Sequence, residues 1–302
     1  MLPIIHNFIG FGPFSRLPIR NLRRDRCAVC GNIQADVNTS QREAWNSFVI
    51  GLSLSTCISE VPCTLESPGD YHLAESLLLE GGEYAIKVGA ERVCLDLGGH
   101  TLENRNGIAI LLEATHFSLE NGTLKGDSIA LISAPHIRPD NCRLRDLIVE
   151  GVLYLGGDYL VAERCRVVAS TQGIRGGLHC NISDCEVSGA LLGVEVGAGS
   201  EVFRTTVRNC EEGVYAYGSR EHPVHLEKLL VLDCDGLGLR LDGPGTAFRC
   251  EVHNNGRVHP GGGILAGPAS VVRECEAYGN NGGDISVVKP CELIDNRVTS
   301  ED

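Results

Sequence analysis

Aromatic residues and long apolar runs are both scarce in this chain of 302 residues. Phe, Trp and Tyr together make up only 5% of it, with a single Trp and a single Met. No apolar run approaches the roughly 20 residues that a membrane-spanning helix needs, so the sequence predicts no membrane span. Glycine is abundant instead, at 37 residues. This combination is typical of many short strands joined by tight turns rather than of long helices.

Basic residues are also in deficit, since the formal net charge is −13 at pH 7. Residues 1–24 hold four arginines and no acid, so the rest of the chain carries 22 basic against 39 acidic residues. A surface of that sign repels nucleic acids and anionic membranes, and we expect neither as a partner. The same surface suits solubility, cations or basic protein partners.

The N-terminal part differs in composition from the remainder. Residues 1–24 are apolar at first and place their arginines last, which is the reverse of a secretory signal. We expect an arm that binds a protein partner or a second copy, in a cytoplasmic protein. Residues 39–54 begin with a Ser/Thr capping pattern that ends in Glu43 and continue with apolar residues at helical spacing. They predict a helical cap over the open end of a repeat domain, with an arm and cap in 1–60 and the repeats in 61–302.

A short motif recurs through those repeats: a small residue, usually glycine, followed by an apolar one. Its copies begin at Gly107, Ser128, Gly151, Gly173, Gly193, Gly213, Gly236, Gly263 and Gly283. The steps run from 20 to 27 residues, which is too short for a strand-helix-strand unit and suits one coil of three short strands. GVEVGAG (193–199) and GVYAYGS (213–219) alternate as strands do. The sequence therefore predicts an all-β solenoid of roughly nine to ten coils.

Two early coils resemble a known family. LLLEGGEYAIKVGAERVCLDLGGHTLEN (77–104) and GIAILLEATHFSLENGTLKG (107–126) are similar to the opening coils of right-handed parallel β-helix proteins of the pectate-lyase-like superfamily. The resemblance covers roughly residues 61–302 and implies a right-handed parallel β-helix with a habit of binding acidic sugars. It implies no single reaction, because the superfamily holds lyases, hydrolases, isomerases, adhesins and scaffolds.

Most of the 14 cysteines fall into columns when the coils are aligned. The pattern cysteine, charged residue, apolar residue begins at Cys142, Cys165, Cys185, Cys250, Cys275 and Cys291, and Thr205 takes that place in one coil. Equivalent positions in stacked coils lie about 4.8 Å apart, so the pattern predicts a ladder of small buried residues. Cys210 and Cys234 form a second column near a turn. A thiol ladder stays unpaired in a reducing compartment, which favours a cytoplasmic setting.

The sequence Cys27-Ala-Val-Cys30 is the one motif typical of a metal site. With Cys57 and Cys63 it could form a four-thiolate zinc site, although the five residues between the second pair are an unusual gap for zinc. A disulfide or redox pair, and plain packing of the thiols, are the alternatives. We expect no required cofactor, with Zn²⁺ at these cysteines or Ca²⁺ at groove carboxylates as the alternatives.

Alternation also predicts which side chains of the repeated strand face outward. If Ile174, Val194, Val214 and Leu237 point inward, their successors point outward. One predicted outer column is Ala109, Ala130, Leu153, Arg175, Glu195, Tyr215, Gly238, Leu265 and Ser286, and the next is Leu111, Ile132, Leu155, Gly177, Gly197, Tyr217, Arg240, Gly267 and Val288. Polar and aromatic groups gather in residues 173–242. We therefore expect a ligand groove over that segment.

Five residues are candidates for binding the ligand of this groove. Tyr215 and Tyr217 offer stacking surfaces for a sugar ring. Arg175 can hold a carboxylate by a two-point contact. His225 and His259 lie in neighbouring loops and extend the same set. These residue types together favour a saccharide or another small anionic ligand.

Four further residues are candidates for acid-base catalysis: Glu195, Asp242, Arg240 and the loop residue His222. A carboxylate or imidazole beside a bound sugar can move a proton, so we predict an elimination, isomerisation or hydrolysis. The motifs of polygalacturonase-type enzymes are absent from the sequence, and the resemblance carries no reaction over. The alternative function is a non-catalytic scaffold that binds a partner through residues 1–24 or through an open C-terminal end.

Overall fold

The chain forms a stack of short parallel strands. The structure, a computed structural model, describes residues 55–134, 136–169, 171–259 and 261–299, without the side chains of 127, 128 and 299. The predicted helical cap and almost all of the predicted N-terminal segment lie outside these residues. All regular secondary structure within these residues is β-strand, which confirms the predicted all-β fold.

Thirty strands make up the described solenoid. In chain order they are β1 Thr56–Ile58, β2 Cys63–Leu65, β3 Gly69–Leu73, β4 Leu77–Leu79, β5 Tyr84–Val88, β6 Val93–Asp96, β7 Thr101–Asn104, β8 Ile108–Leu112, β9 Ser118–Ser133, β10 Arg143–Tyr154, β11 Val161–Glu163, β12 Arg166–Val168, β13 Gln172–Arg175, β14 Asn181–Ser183 and β15 Glu186–Ser188. They continue with β16 Leu192–Val196, β17 Glu201–Phe203, β18 Thr206–Arg208, β19 Glu212–Tyr217, β20 Val224–Glu227, β21 Leu230–Leu232, β22 Leu239–Asp242, β23 Gly245–Phe248, β24 Glu251–His253, β25 Ile264–Ala266, β26 Ser270–Arg273, β27 Glu276–Tyr278, β28 Ile285–Val287, β29 Glu292–Ile294 and β30 Arg297–Thr299.

Parallel pairing sorts the strands into three faces. The first face runs through β2, β5, β8, the ends of β9 and β10, and then β13, β16, β19, β22, β25 and β28. The second face runs through β1, β3, β6, the starts of β9 and β10, and then β11, β14, β17, β20, β23, β26 and β29. The third holds β4, β7, the middles of β9 and β10, and then β12, β15, β18, β21, β24, β27 and β30. Each coil gives one strand to each face, so the chain makes about ten coils of a parallel β-helix, as predicted.

The core is the space that the three faces enclose. Alternation along each strand sends one set of side chains inward. On the first face that row is Ile86, Ile110, Leu131, Leu153, Ile174, Val194, Val214, Leu239 and Ile264, none more than 2% exposed. Each of these side chains packs on its equivalent in the next coil and contributes about 1.5–3 kcal/mol by burial, as an upper estimate.

The corner between the second and third faces keeps one form from β10 onward. It is two residues long, and its first residue has a left-handed φ between 45° and 54°. These residues are Asp146, Arg164, Asp184, Arg204, Lys228, Arg249, Glu274 and Asp295. Several pair across coils, with Arg164 Nε 2.7 Å from Asp146 Oδ1 and Arg204 Nε 2.6 Å from Asp184 Oδ1. The other two corners vary in length from coil to coil, and both of them border the first face.

The second residue of this constant corner carries the main cysteine ladder. Cys165, Cys185, Thr205, Cys250 and Cys275 occupy it and are at most 3% exposed, which confirms the predicted ladder of small buried residues. The placement of Cys142 and Cys291 in this ladder is wrong. Both precede strands of the second face, where Cys142 aligns with Cys180. The pattern cysteine, charged residue, apolar residue occurs before strands of both the second and the third face. Aligning the repeats by this pattern alone therefore combined two separate columns of cysteines.

The corner between the third and first faces holds a second buried column. It contains Cys210 and Cys234, as predicted, and continues as two asparagines. Asn255 accepts a hydrogen bond from the backbone N–H of Cys234 at 3.0 Å and donates to Val231 O at 3.2 Å. Its own N–H donates to Asn280 Oδ1 at 3.0 Å. The amides therefore satisfy backbone groups that the turn leaves without strand partners.

The last described coil, β28 to β30, leaves apolar side chains uncovered. Val288, Leu293 and Val298 are about half exposed, at 53%, 50% and 51%. In the described part of the chain, no helix has the length and apolarity needed to cross a membrane.

Candidate functional site

The outer row of the first face brings the candidate groups into consecutive coils. Its members, in order, are Lys87, Leu111, Ile132, Tyr154, Arg175, Glu195, Tyr215, Arg240, Leu265 and Ser286. Neighbours in this row are one strand spacing apart, about 4.8 Å. Two residues farther along the strands, Tyr217 aligns with Asp242. The polar segment predicted from the sequence is therefore continuous on one face.

The predicted outer column is wrong at its beginning and at one later coil. Ala109, Ala130, Leu153 and Gly238 are buried, and Leu111, Ile132, Tyr154 and Arg240 hold the outward positions. The second predicted column is wrong as well at Leu111, Ile132 and Arg240, which belong to the first outer row, and at Leu155, which is buried. Leu239 and not the predicted Leu237 points inward in its coil. In the early coils the small-apolar motif begins three or four residues before the outward residue of its strand, whereas at Gly173 and Gly193 it begins two residues before it. The pairing of β9 with β10 also contains register shifts. The practical consequence is that Tyr154 joins the site and Arg240 lies beside Tyr215.

Arg175 and Glu195 form the centre of the first cluster. Arg175 Nε lies 2.8 Å from Glu195 Oε2, and the side chains are 37% and 15% exposed. The guanidinium carbon of Arg175 also lies 5.1 Å from the centre of the Tyr154 ring, within the range of a cation–π contact. The stacking holds the guanidinium against the face while one of its N–H groups serves Glu195, so other N–H groups stay available to a ligand.

A cleft of about 370 Å³ opens over this ion pair. Tyr154, Arg175, Glu195 and Tyr217 line it on the strand side. Its floor includes Gly177, and the absence of side chains at the adjacent Gly197 lets Tyr217 lean over the strand. A Cβ at Gly197 would lie 2.8 Å from the Tyr217 hydroxyl and 2.8 Å from Gly177 O. We call this space the first-face cleft.

Arg138 completes the first-face cleft from the corner between β9 and β10. Its Nη2 lies 2.9 Å from Asp158 Oδ1, and that same oxygen accepts a hydrogen bond from Leu178 N at 2.8 Å. The backbone N–H of Asp158 in turn donates to Asp140 Oδ1 at 2.8 Å. Sequence reasoning missed Arg138 because no strand period applies to its loop. Two guanidinium groups thus line the first-face cleft, and each pairs with one carboxylate, Arg175 with Glu195 and Arg138 with Asp158.

Tyr215, Arg240 and Asp242 form a second cluster, two coils farther along. Arg240 binds Asp242 Oδ2 through Nε at 3.0 Å and Nη2 at 2.9 Å, and this hydrogen bonding raises the pKa of Arg240. The Arg240 guanidinium lies 5.1 Å from the centre of the Tyr215 ring. Burial, followed by the nearby Asp242 carboxylate, raises the pKa of Tyr215, so its hydroxyl stays protonated as a donor. The Tyr215 and Tyr217 rings are 6.0 Å apart and tilted by 41°.

The three candidate histidines lie away from both clusters. His222 packs edge-on against His179 at 4.7 Å, in a corner between the first and second faces. His225 belongs to β20 on the second face, where it aligns with Glu201. His259 lies in the corner between the third and first faces, and its backbone N–H donates to Asp235 O at 2.8 Å. The structure therefore brings together six of the nine predicted residues and leaves out these three.

The described residues offer no cluster of three or more His, Cys, Asp or Glu side chains able to hold a metal ion. Cys57 and Cys63 are half-buried at the start of the solenoid, and burial raises the pKa of Cys63. Cys27 and Cys30 fall outside the described residues, so the predicted zinc site stays a prediction. The two carboxylates predicted as alternatives for binding Ca²⁺, Glu195 and Asp242, each pair with an arginine of the outer row.

Comparisons with solved structures show the fold. The chain resembles the Dettilon tailspike protein with a TM-score of 0.56 and 11% identity over 80% of this chain and 62% of that one. It thus spans less than two thirds of the tailspike. Matches to the periplasmic alginate epimerase AlgG and to the A-module of the mannuronan C-5 epimerase AlgE6 from Azotobacter vinelandii both have TM-scores of 0.41. They share 11% and 8% identity, cover 78% of this chain in each case, and cover 78% and 92% of those chains. No protein-family model matches the sequence, and no curated protein matches it significantly.

Proposed function

We propose that this parallel β-helix binds a carbohydrate carrying a carboxylate in the first-face cleft and moves a proton on it through Glu195. One observation carries the proposal. In a chain with a net charge of −13, the first-face cleft collects Arg138 and Arg175 around a single lining carboxylate, between two tyrosines. Two guanidinium groups with N–H donors left over, in an aromatic-walled cleft on an acidic protein, favour an anionic sugar over a neutral one.

Binding would use the groups that the internal contacts leave unsatisfied. The Nε–H group of Arg175 contacts Glu195, and a guanidinium has five N–H donors in a planar arrangement. The ligand carboxylate then accepts from the remaining N–H groups of Arg175 and from Arg138. Tyr154 and Tyr217 stand on either side of the first-face cleft and pack on the apolar faces of the sugar rings.

In this proposal Glu195 acts as the base. It is 15% exposed, so little water competes for its free lone pairs. The C–H bond beside the ligand carboxylate breaks, the proton passes to Glu195, and the electron pair spreads onto the carboxylate that the arginines hold. Return of a proton from water to the opposite side of that carbon completes an isomerisation. In an elimination the electron pair instead forms a C=C bond while the neighbouring C–O bond breaks. The oxygen leaves with the electrons of that bond and takes the proton from Glu195.

Deuterium incorporation tests the proton transfer directly. Polygalacturonate, polymannuronate and polyguluronate are incubated with the protein in D₂O, and NMR follows deuterium at carbon and the appearance of unsaturated ends. We expect one of these polymers to react. Glu195→Gln should slow the reaction by about 10²–10⁴-fold while binding persists. Arg175→Met should weaken binding by about tenfold or more.

Glu186→Gln is the matched control, because Glu186 pairs with Arg208 at 2.6 Å on the third face, away from the first-face cleft. It should react at the rate of the unmodified chain. Absence of binding and deuterium incorporation with all three polymers would refute the proposal. So would full activity of Glu195→Gln.

A scaffold function through residues 1–24 stays an alternative prediction, since that segment lies outside the described residues.

We also propose a reducing compartment as the working location, because the buried corner columns keep their cysteines as free thiols. Fractionation of the source cells with an antibody to the chain tests this location. Recovery of the chain with secreted or periplasmic proteins would refute it.

A further inference from the structure

The second face carries a groove of its own, independent of the first-face cleft. Its volume is about 800 Å³. Its polar, charged and aromatic lining residues are Glu163, Asn181, Ser183, Glu201, Phe203, Arg204, His225, Glu227, Thr246, Phe248 and Arg273. None of these lines the first-face cleft. We call this space the second-face groove.

Two outward rows of the second face run along the second-face groove. In one row Glu201, His225 and Thr246 are neighbours in consecutive coils. In the other, Glu227 separates Phe203 from Phe248. The two phenyl groups are therefore two coils apart, about 10 Å at the usual strand spacing. Polar and apolar groups thus alternate along the axis of the solenoid.

The two phenyl rings are held in place rather than buried. The guanidinium of Arg204 lies 4.1 Å from the centre of the Phe203 ring, and that of Arg249 lies 4.6 Å from the centre of the Phe248 ring. Both arginines belong to the constant corner, where Arg204 pairs with Asp184. Each ring is only half-buried, so part of its surface faces the second-face groove. Aromatic rings fixed on a polar strand face are suited to packing on sugar rings.

The unpaired charge of the second-face groove is a carboxylate, which disfavours an anion. The two arginines in its lining, Arg204 and Arg273, pair with Asp184 at 2.6 Å and with Glu274 at 3.0 Å. Glu163 and Glu227 pair with Arg145 at 3.2 Å and with Lys228 at 2.9 Å. Glu201 is exposed and has no ion pair among the described residues. A free carboxylate accepts hydrogen bonds from hydroxyl groups and repels a second carboxylate. Asn181, Ser183 and Thr246 add neutral donors and acceptors.

We propose that the second-face groove binds a neutral oligosaccharide whose chain runs along the solenoid axis. A disaccharide unit of an extended glycan spans the distance between Phe203 and Phe248. Its hydroxyl groups donate to Glu201, and its rings pack against the two phenyl groups. The two faces then select ligands of different charge, an acidic sugar on the first and a neutral one on the second.

Binding of the full chain to neutral oligosaccharides tests this proposal. Malto-, cello-, xylo- and manno-oligosaccharides of up to six units are titrated by calorimetry, with oligogalacturonates as the anionic comparison. We expect at least one neutral series to bind. Glu201→Gln, an exposed and isosteric change, should weaken that binding by about tenfold, and Phe203→Ala by more.

Matched controls lie on the third face. Tyr278→Ala removes a partly exposed aromatic ring that stacks on His253, and Glu251→Gln neutralises an exposed carboxylate. Neither should alter binding, nor should Arg175→Met in the first-face cleft.

Three outcomes would overturn the proposal: no neutral series binding below about 1 mM, unchanged binding in both Glu201→Gln and folded Phe203→Ala, or loss of binding in Arg175→Met. Glu201→Gln keeps the test decisive if Phe203→Ala fails to fold. Because the proposed function depends on Glu195 and uronate polymers, its failure is distinguishable from this one.

Discussion

The Arg175–Glu195 pair should couple more strongly than an exposed pair of the same length. Their atoms are 2.8 Å apart, and the Glu195 side chain is only 15% exposed. Exposed pairs couple by about 0.2–1 kcal/mol, while removal of one partner from a buried pair costs about 3–5 kcal/mol. Arg175 is itself 37% exposed, which places the expected coupling between these limits, at about 1–1.5 kcal/mol.

A double-mutant cycle measures this coupling. Arg175→Met also removes the stacking on Tyr154, so it should cost about 2 kcal/mol, whereas Glu195→Gln keeps one acceptor and should cost about 1 kcal/mol. The double variant should cost less than the sum of the two. Urea unfolding, followed by circular dichroism and tyrosine fluorescence, gives each free energy of unfolding, provided that the two transitions coincide and the slopes agree.

Arg297 and Glu276 supply the matched control on the third face. Their atoms are 2.9 Å apart, but their side chains are 80% and 43% exposed. The cycle of Arg297→Met and Glu276→Gln should give about 0–0.5 kcal/mol. If the two couplings agree within about 0.3 kcal/mol, burial does not strengthen the pair. The electrostatic reasoning about the first-face cleft would then be wrong.

Three further changes have defined outcomes. Hydrogen bonds from Arg204 lower the pKa of Asp184 from its ordinary 3.8, so this carboxylate stabilises the fold above pH 3.8 and that gain is lost as the pH falls below it. Asp184→Asn should flatten this part of the acid-unfolding profile. Asn255→Ala removes the acceptor of the backbone N–H of Cys234 and should lower the free energy of unfolding, measured in urea, by about 2–3 kcal/mol. Cys94 is exposed and should react with iodoacetamide in the folded chain. Burial raises the pKa of Cys142 to about 11, so it should react only after unfolding, as peptide mass spectrometry will reveal.

Different observations would contradict these three expectations. An unchanged acid profile in Asp184→Asn would mean that the corner pair does not link protonation to folding. A loss below about 0.5 kcal/mol in Asn255→Ala would mean that water replaces the amide at the corner. Labelling of Cys142 at the rate of Cys94 would mean that the solenoid opens readily at that coil.

The solenoid was predictable because its signal repeats. A small-apolar step every 20 to 27 residues, together with alternation around Val194 and Val214, requires short strands that stack coil on coil. Repetition also located the inward and outward positions of β13, β16 and β19. In those coils Arg175, Glu195 and Tyr215 lie where alternation predicted them.

The errors arose where the repeat breaks. β9 and β10 run through two corners, and register shifts between them moved Tyr154 outward in place of Leu153. Arg138 lies in a loop without a period, and the positions of His222 and His259 depend on corner lengths that differ among coils. No local pattern encodes such distances, since they depend on how neighbouring corners pack. The second-face groove was missed for another reason. One of its rows alternates phenyl rings with a carboxylate and the other consists of Glu201, His225 and Thr246, so neither row forms a run of like residues.

The unequal corners determine where the chain can accept new sequence. The corner that holds Arg204 and Thr205 stays two residues long, and its buried second position leaves no space for an insertion. The corners at 218–223 and 254–263 already differ in length from their neighbours, and each enters the first face or leaves it. Peptides grafted there would build new walls beside the outer row while the step of about 4.8 Å between coils stays the same. The first face is therefore the side of this solenoid on which recognition can be redesigned without rebuilding the fold.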